Sequence, residues 1–226
     1  MHIAFFSDQH PGTLGGLQVS LGLQRAQLER LGHRVTVCAP DSSRVPSREF
    51  ARADDVLLSS AQVGEHSFCI AGAQVDRAVD AGFSGLPPVD VVHVQADVWG
   101  AWSGYRFARR HGLPVVHTMH TNVEVGLPAI MPFPRAVFRL LFAAQERFMR
   151  VGAVDDIAAY VRVFADAADV LVAPSTHFAE RLHGYGIAAD IHVVPTGVDD
   201  TLLDPVRALP RTRRRRPVLL WPGRVS

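Results

Sequence analysis

Short apolar runs alternate with longer amphipathic stretches along almost the whole chain. The runs fall at 2–7 (HIAFFS), 33–39 (HRVTVCA), 66–72 (HSFCIAG), 89–94 (VDVVHV), 113–119 (LPVVHTM), 168–174 (ADVLVAP), 190–195 (DIHVVP) and 216–222 (RPVLLWP). Several are unbroken and rich in β-branched residues, a pattern that suits parallel strands covered on both faces. The stretch 16–32 has helical periodicity, places Val19, Leu23, Ala26 and Leu31 near one face and stops at Gly32. Stretches 99–112 and 176–186 behave alike, each closing on glycine. The alternation predicts βαβ units and an α/β class domain, Rossmann-like and doubly wound on a mainly parallel sheet. Ligands in such a sheet sit beyond the C-terminal ends of the strands, so the residues after each apolar run are the first candidates for chemistry.

Residues 1–206 read as one such domain. Residues 207–216 are polar and Arg-rich, the signature of a surface linker. The apolar run after it, within 217–226, reads as the first strand of a second domain that is otherwise missing.

Composition changes this picture little. Of 226 residues, 48% are hydrophobic and 20% charged, with a net charge of +1, which is ordinary for a globular domain and gives no global argument for nucleic acid. All 23 basic residues are arginine. With no lysine, a Walker A loop is excluded. The two cysteines, Cys38 and Cys69, lie in strand-like runs without metal or redox spacing and read as buried thiols of a reducing compartment. The N-terminus lacks a basic segment and a cleavage site, and no run is long enough to span a membrane, so a cytoplasmic location is expected. Contact with the inner membrane face stays compatible with that location.

Candidate chemistry clusters after the strands. Gly15 and Gly16 stand where the first helix begins, and a glycine turn at a helix N-terminus offers backbone N–H groups and a dipole to an anion such as a diphosphate. Two glycines making a tight turn explain the same residues. The fifth run ends in HTMHTN: His117 falls inside the strand as a buried imidazole, and His120 falls at its end, poised for a polar contact with a ligand. The H-x-x-H spacing has no accompanying carboxylate or cysteine, so no metal is expected. Gln95 and Asp97, after the fourth run, could line the same cleft, and Asp97 reads equally as the N-cap of the next helix. The stretch 131–151 mixes Phe133, Phe138, Leu141, Phe142 and Phe148 with Arg135, Arg139, Arg147 and Arg150. A core helix with snorkelling arginines is the simpler reading, and a helix lying on an anionic membrane is the alternative.

Taken in order, MHIAFFSDQHPGTLGGLQVSL, LERLGHRVTVCAP, DVVHVQAD, GLPVVHTMHTN, ADVLVAPSTHFAERL, GIAADIHVVPTGVD and VLLWPGR resemble the family-4 retaining glycosyltransferases of GT-B fold. The HTMHT motif looks most like the lipid-acceptor branch, the diacylglycerol glucosyltransferases and phosphatidylinositol mannosyltransferases. The resemblance implies a hexose transfer from a UDP- or GDP-linked sugar with retention of configuration, no cofactor and no metal. It places Gly15, Gly16 and Arg224 at the donor diphosphate, Gln18 near the acceptor and His120 beside the transferring sugar. The N-terminal domain of such enzymes carries most of the acceptor site, so this chain is expected to be inactive without its second domain. Two rivals remain: an acceptor- or membrane-binding module without catalysis, and a nucleotide-dependent oxidoreductase, which the absence of G-x-G-x-x-G after the first strand disfavours.

Overall fold

In a computed structural model, residues 1–43, 51–64, 66–120, 123–125 and 133–208 are described. Seven parallel strands form the central sheet in the order β3-β2-β1-β6-β7-β8-β9. They are β1 (His2–Ser7), β2 (Arg34–Pro40), β3 (Val56–Leu58), β6 (Val91–Gln95), β7 (Val115–Thr118), β8 (Val170–Ala173) and β9 (Ile191–Val193). The crossovers are α1 (Gly16–Arg30), α2 (Ala73–Phe83), α3 (Trp99–His111), α4 (Pro134–Gln145), α5 (Ile157–Ala167) and α6 (Thr176–Gly184), and α7 (Asp200–Arg207) closes the described chain. A π-helical turn, Glu146–Arg150, extends α4. The expected α/β class and Rossmann-like sheet are what the chain forms.

The run at 66–72 does not join this sheet. Only His66–Phe68 (β5) is strand, and it pairs antiparallel with Ala61–Val63 (β4) in a separate ribbon. The edge position is taken instead by Val56–Leu58, in register with Cys38–Pro40. That strand has three residues, too few to display a period. Arg207, the first residue of the expected linker, still belongs to α7 and pairs with Asp200 and Asp204; the expected linker from 209 on lies outside the described residues. The run at 216–222 and Arg224 lie outside the described residues.

Two cores flank the sheet. One face carries the larger, built from Phe6, Val92, Val94, Trp102, Tyr105, Phe107, Phe164 and Leu182 among others. The other face, under α1, holds Ile3, Phe5, Leu21, Val35, Val37 and Ala39. The face of α1 differs from expectation. Val19 and Leu31 are 53% and 64% exposed, while Leu21 and Arg25 are buried and Leu17 and Leu28 pack beside them. The stripe 17–21–25–28 has proper helical spacing. Its recognition from apolar residues alone fails because Arg25 occupies one core-facing position, which Asp55 makes tolerable by pairing with it at 2.8 Å. Cys38 and Cys69 are both buried and free.

Chain order reverses between β1 and β6, with β2 and β3 to one side and β7, β8 and β9 to the other. This switch point opens a crevice at the strand ends Ser7 and Gln95. The adjoining helix α3 approaches very closely there. A Cβ on Gly100 would lie 2.5 Å from the carbonyl carbon of Ser7 and 2.6 Å from its oxygen. Backbone cannot step aside as a side chain can, so Gly100→Ala is expected to cost about 1–3 kcal/mol. Chemical denaturation of the variant measures this, and an unchanged midpoint would mean that α3 does not sit so near β1.

Candidate functional site

Two helix N-termini reach the crevice, and the chain treats them differently. Asp8, directly after β1, closes the first. Its carboxylate accepts N–H bonds from Asp97 (2.7 Å), Val98 (3.0 Å) and Gly100 (2.8 Å) at the start of α3. Asp97 therefore does not cap α3; Asp8, from a different strand end, takes that role. Burial raises the Asp8 carboxyl to about 6, with the three N–H bonds pulling the other way. The second N-terminus, that of α1, begins at Gly16 with no capping side chain and no acidic residue in its first turn. Its leading N–H groups and positive dipole end are thus left for another acceptor. Gly15 leaves room for Gln18, whose Oε1 lies only 2.3 Å from where a Cβ at Gly15 would be. Gln18 itself is half-buried in the first turn of α1.

His120 lies just past β7 and is half-buried. Its Nε2 meets Oε1 of Gln95 at 2.6 Å, and its backbone N–H donates to Oδ1 of Asp97 at 3.3 Å. The structure thus brings together three of the expected residues, His120, Gln95 and Asp97. It also corrects their roles. Gln95 is wholly buried and Asp97 nearly so, so Gln95 does not line an open cleft; it stands behind the imidazole. The Asp97 carbonyl is fixed by the hydroxyl of Tyr160 at 2.6 Å. His117 is fully buried in β7, where Nε2 donates to the Ala96 carbonyl at 2.8 Å and Nδ1 meets the Tyr105 hydroxyl at 2.9 Å. The two histidines of the H-x-x-H pair therefore have separate partners. Among the described residues, no three of His, Cys, Asp and Glu gather into a metal-binding group.

Sequence reasoning missed Asp8, Gln24 and His93. Asp8 carried one signal, an acidic residue at the end of the first strand. Gln24 and His93 carried none, because their role is a contact across the sheet: Gln24 accepts from Gln95 Nε2 at 2.7 Å, and His93 Nε2 lies 3.3 Å from the same nitrogen.

The site keeps its imidazoles neutral. Burial lowers His117 and His93 to about 3, and His120 to about 4. A histidine whose folded pKa lies below its unfolded 6.5 gives stability that is present above 6.5 and lost as pH falls through the folded value. Asp8 acts in the opposite sense: its contribution is present below 3.8 and lost as pH rises through about 6. Three imidazoles outweigh one carboxyl. Unfolding free energy is therefore expected to drop by on the order of 6 kcal/mol between pH 6.5 and pH 4. Urea titrations across that window measure it, and a stability that rises on acidification would contradict it.

Comparison with known proteins identifies the family. Residues 14–202 match Glycosyltransferase Family 4. Alpha-monoglucosyldiacylglycerol synthase of Streptococcus pneumoniae is 23% identical over 202 residues, 88% of this chain and 41% of that protein. A D-inositol 3-phosphate glycosyltransferase of Xylanimonas cellulosilytica is 36% identical over 150 residues, 61% of this chain and 32% of that protein. Among solved structures, an alpha-glucosyltransferase in complex with UDP and DNA superposes with a TM-score of 0.50 at 14% identity, covering 91% of this chain and 44% of that one. That likeness supports the fold. The chain spans under half the length of each of these relatives.

Proposed function

The chain belongs to glycosyltransferase family 4, and from that premise we propose that it forms the acceptor side of an enzyme that moves a hexose from a nucleoside-diphosphate sugar, with retention of configuration, to a lipid- or inositol-type acceptor. The observation that carries the reading is the pair of helix N-termini at the switch point, one closed by Asp8 and one open at Gly16. An uncapped N-terminus after β1 and a neutral imidazole after β7, two strands along the same sheet, suit a diphosphate leaving group and a sugar hydroxyl. In this reading the amides at Gly15 and Gly16 stabilise charge on the leaving diphosphate, Gln18 faces the acceptor, and His120 orients the transferring sugar. Arg224 adds positive charge from the second domain, which supplies most of the donor site, so transfer requires both halves. No metal and no cofactor enter the scheme.

NMR titration of the chain tests the division of labour. Inositol 1-phosphate and inositol 3-phosphate are expected to move the amide signals of the first turn of α1 and of His120. Tight NADH binding would instead favour an oxidoreductase.

A second reading concerns the membrane. Helix α4 and its π-turn bury Leu141, Gln145 and Met149, while Phe133 and Leu140 are 81% and 72% exposed. Among the described residues, Arg135, Arg139, Arg147 and Arg150 enter no ion pair. A groove of roughly 590 Å³ is lined by Arg135, Phe138, Arg139 and Phe142, with Glu124 and Asp156 also on its wall. Such a surface suits anionic headgroups and places a lipid acceptor within reach. No helix among the described residues is long and apolar enough to cross a membrane. Sedimentation with vesicles rich in anionic lipid is expected to carry the chain down. Neutralising the four arginines together should release it; binding unchanged by that substitution rules the helix out.

A further inference from the structure

His120 does not stand alone in the crevice. A line of side-chain hydrogen bonds runs from it, under the sheet's α1 face, to the middle of α1. His120 Nε2 meets Gln95 Oε1 at 2.6 Å, Gln95 Nε2 donates to Gln24 Oε1 at 2.7 Å, and Gln24 Nε2 donates to the hydroxyl of Ser20 at 3.1 Å. A branch joins it, with His93 Nε2 at 3.3 Å from Gln95 Nε2 and 2.7 Å from the Thr118 hydroxyl.

The direction of the line is fixed by its middle member. Gln95 has no exposed surface, so every polar atom of its amide needs a partner in the protein. With Oε1 toward His120, one N–H donates to Gln24 and the other faces His93 Nε2 at 3.3 Å, a nitrogen it shares with the Thr118 hydroxyl. With the amide reversed, only His120 would face the nitrogen, and one buried N–H would have no partner. The first orientation is the satisfied one. An acceptor oxygen at His120 Nε2 then demands a proton on that nitrogen.

We propose that Gln95, backed by Gln24, is a positioning residue that fixes His120 as the Nε2–H tautomer and so reserves its Nδ1 lone pair as an acceptor for a hydroxyl of the bound sugar. The inference rests on the sugar-transfer reading for the identity of the ligand, but the tautomer itself does not depend on it. The buried partner on one nitrogen decides what the other can offer, as second-sphere groups do for catalytic and metal-bound imidazoles. Burial keeps the ring neutral at neutral pH, so the choice between tautomers is the one that matters there.

Long-range nitrogen–proton NMR of the 226-residue chain reads the tautomer directly. His120 is expected in the Nε2–H form at pH 7. Gln95→Leu, which removes the acceptor at constant bulk, should shift His120 toward a mixture of tautomers. Gln95→Glu, which keeps an acceptor oxygen there, should retain the Nε2–H form. Because Gln95 is buried and its variants could fold poorly, Gln24→Ala, at a half-buried helix position, gives an independent reading: the Nε2–H population should fall without loss of fold. In the chain joined to a family donor domain, Gln95→Leu should lower kcat about tenfold with little change in KM, and Gln95→Glu should recover most of it. An Nδ1–H form in the unsubstituted chain, or a tautomer indifferent to both Gln95→Leu and Gln24→Ala, overturns the proposal. A tautomer that responds as stated, with no sugar transfer by the unsubstituted two-domain protein, overturns the functional reading instead.

Discussion

Asp55→Ala is expected to cost about 3–5 kcal/mol of unfolding free energy, up to half or more of what a domain of ordinary stability has. The carboxylate has no exposed surface and the Arg25 side chain has 6%. Between them run two bonds, of 2.8 Å and 2.9 Å, in the forked geometry that favours arginine. Asp55 also accepts the backbone N–H of Val37 at 2.9 Å and of Arg52 at 2.8 Å, so it ties α1, β2 and the approach to β3 to one point. Alanine would leave a buried guanidinium with only Glu29, 3.3 Å from its Nε, as counter-charge, and two backbone donors without an acceptor. Replacing both partners, as Arg25→Met with Asp55→Leu, should recover much of the loss, because an apolar pair of similar volume orphans no charge. Guanidinium denaturation of the single and double variants checks both statements. A single variant within about 1 kcal/mol of the parent would mean that the pair is solvated.

His120→Ala is expected to reduce sugar transfer by about 100-fold, or about 2.7 kcal/mol of barrier, in the chain joined to a donor-binding second domain. Its imidazole is held on both sides, by Gln95 at the ring and by Asp97 at the backbone, which is the preorganisation that makes a polar contact more favourable in the transition state than in water. The fall should lie in kcat more than in KM, since the acceptor is held elsewhere. Folding should lose about 1–3 kcal/mol, because no core packing goes with the half-buried ring but the buried Gln95 Oε1 is left without its partner. Steady-state kinetics with varied donor and acceptor checks the split. A variant with parental kcat would remove His120 from the reaction.

The central sheet was legible because its strands are unbroken apolar runs, and β1 shows why: all six of its residues are buried, so no alternation could suggest a solvent face. The position of His120 followed from the end of its run, whereas the switch point depends on the order of strands within the sheet, which the sequence does not show. What could not be read were relations across the sheet. Nothing local to Asp8 says that it caps a helix starting 91 residues later, and nothing local to Gln95 says that it meets Gln24. The periodicity of α1 misled for the same reason: Arg25 sits on the buried face because of a partner 30 residues away. The strand at Val56–Leu58 was too short to show a pattern, and Gln95, read as cleft lining, is wholly buried support behind the imidazole.

The central claim is that this domain carries the acceptor half of a nucleotide-sugar-dependent transferase. Mass spectrometry of glycosylated products, from reactions offering UDP- and GDP-hexoses with diacylglycerol and inositol-phosphate acceptors, tests it directly on the 226-residue chain and on the chain joined to a family donor domain. The account predicts product from the joined protein alone, lost on His120→Ala. Robust turnover by the 226-residue chain by itself would contradict it.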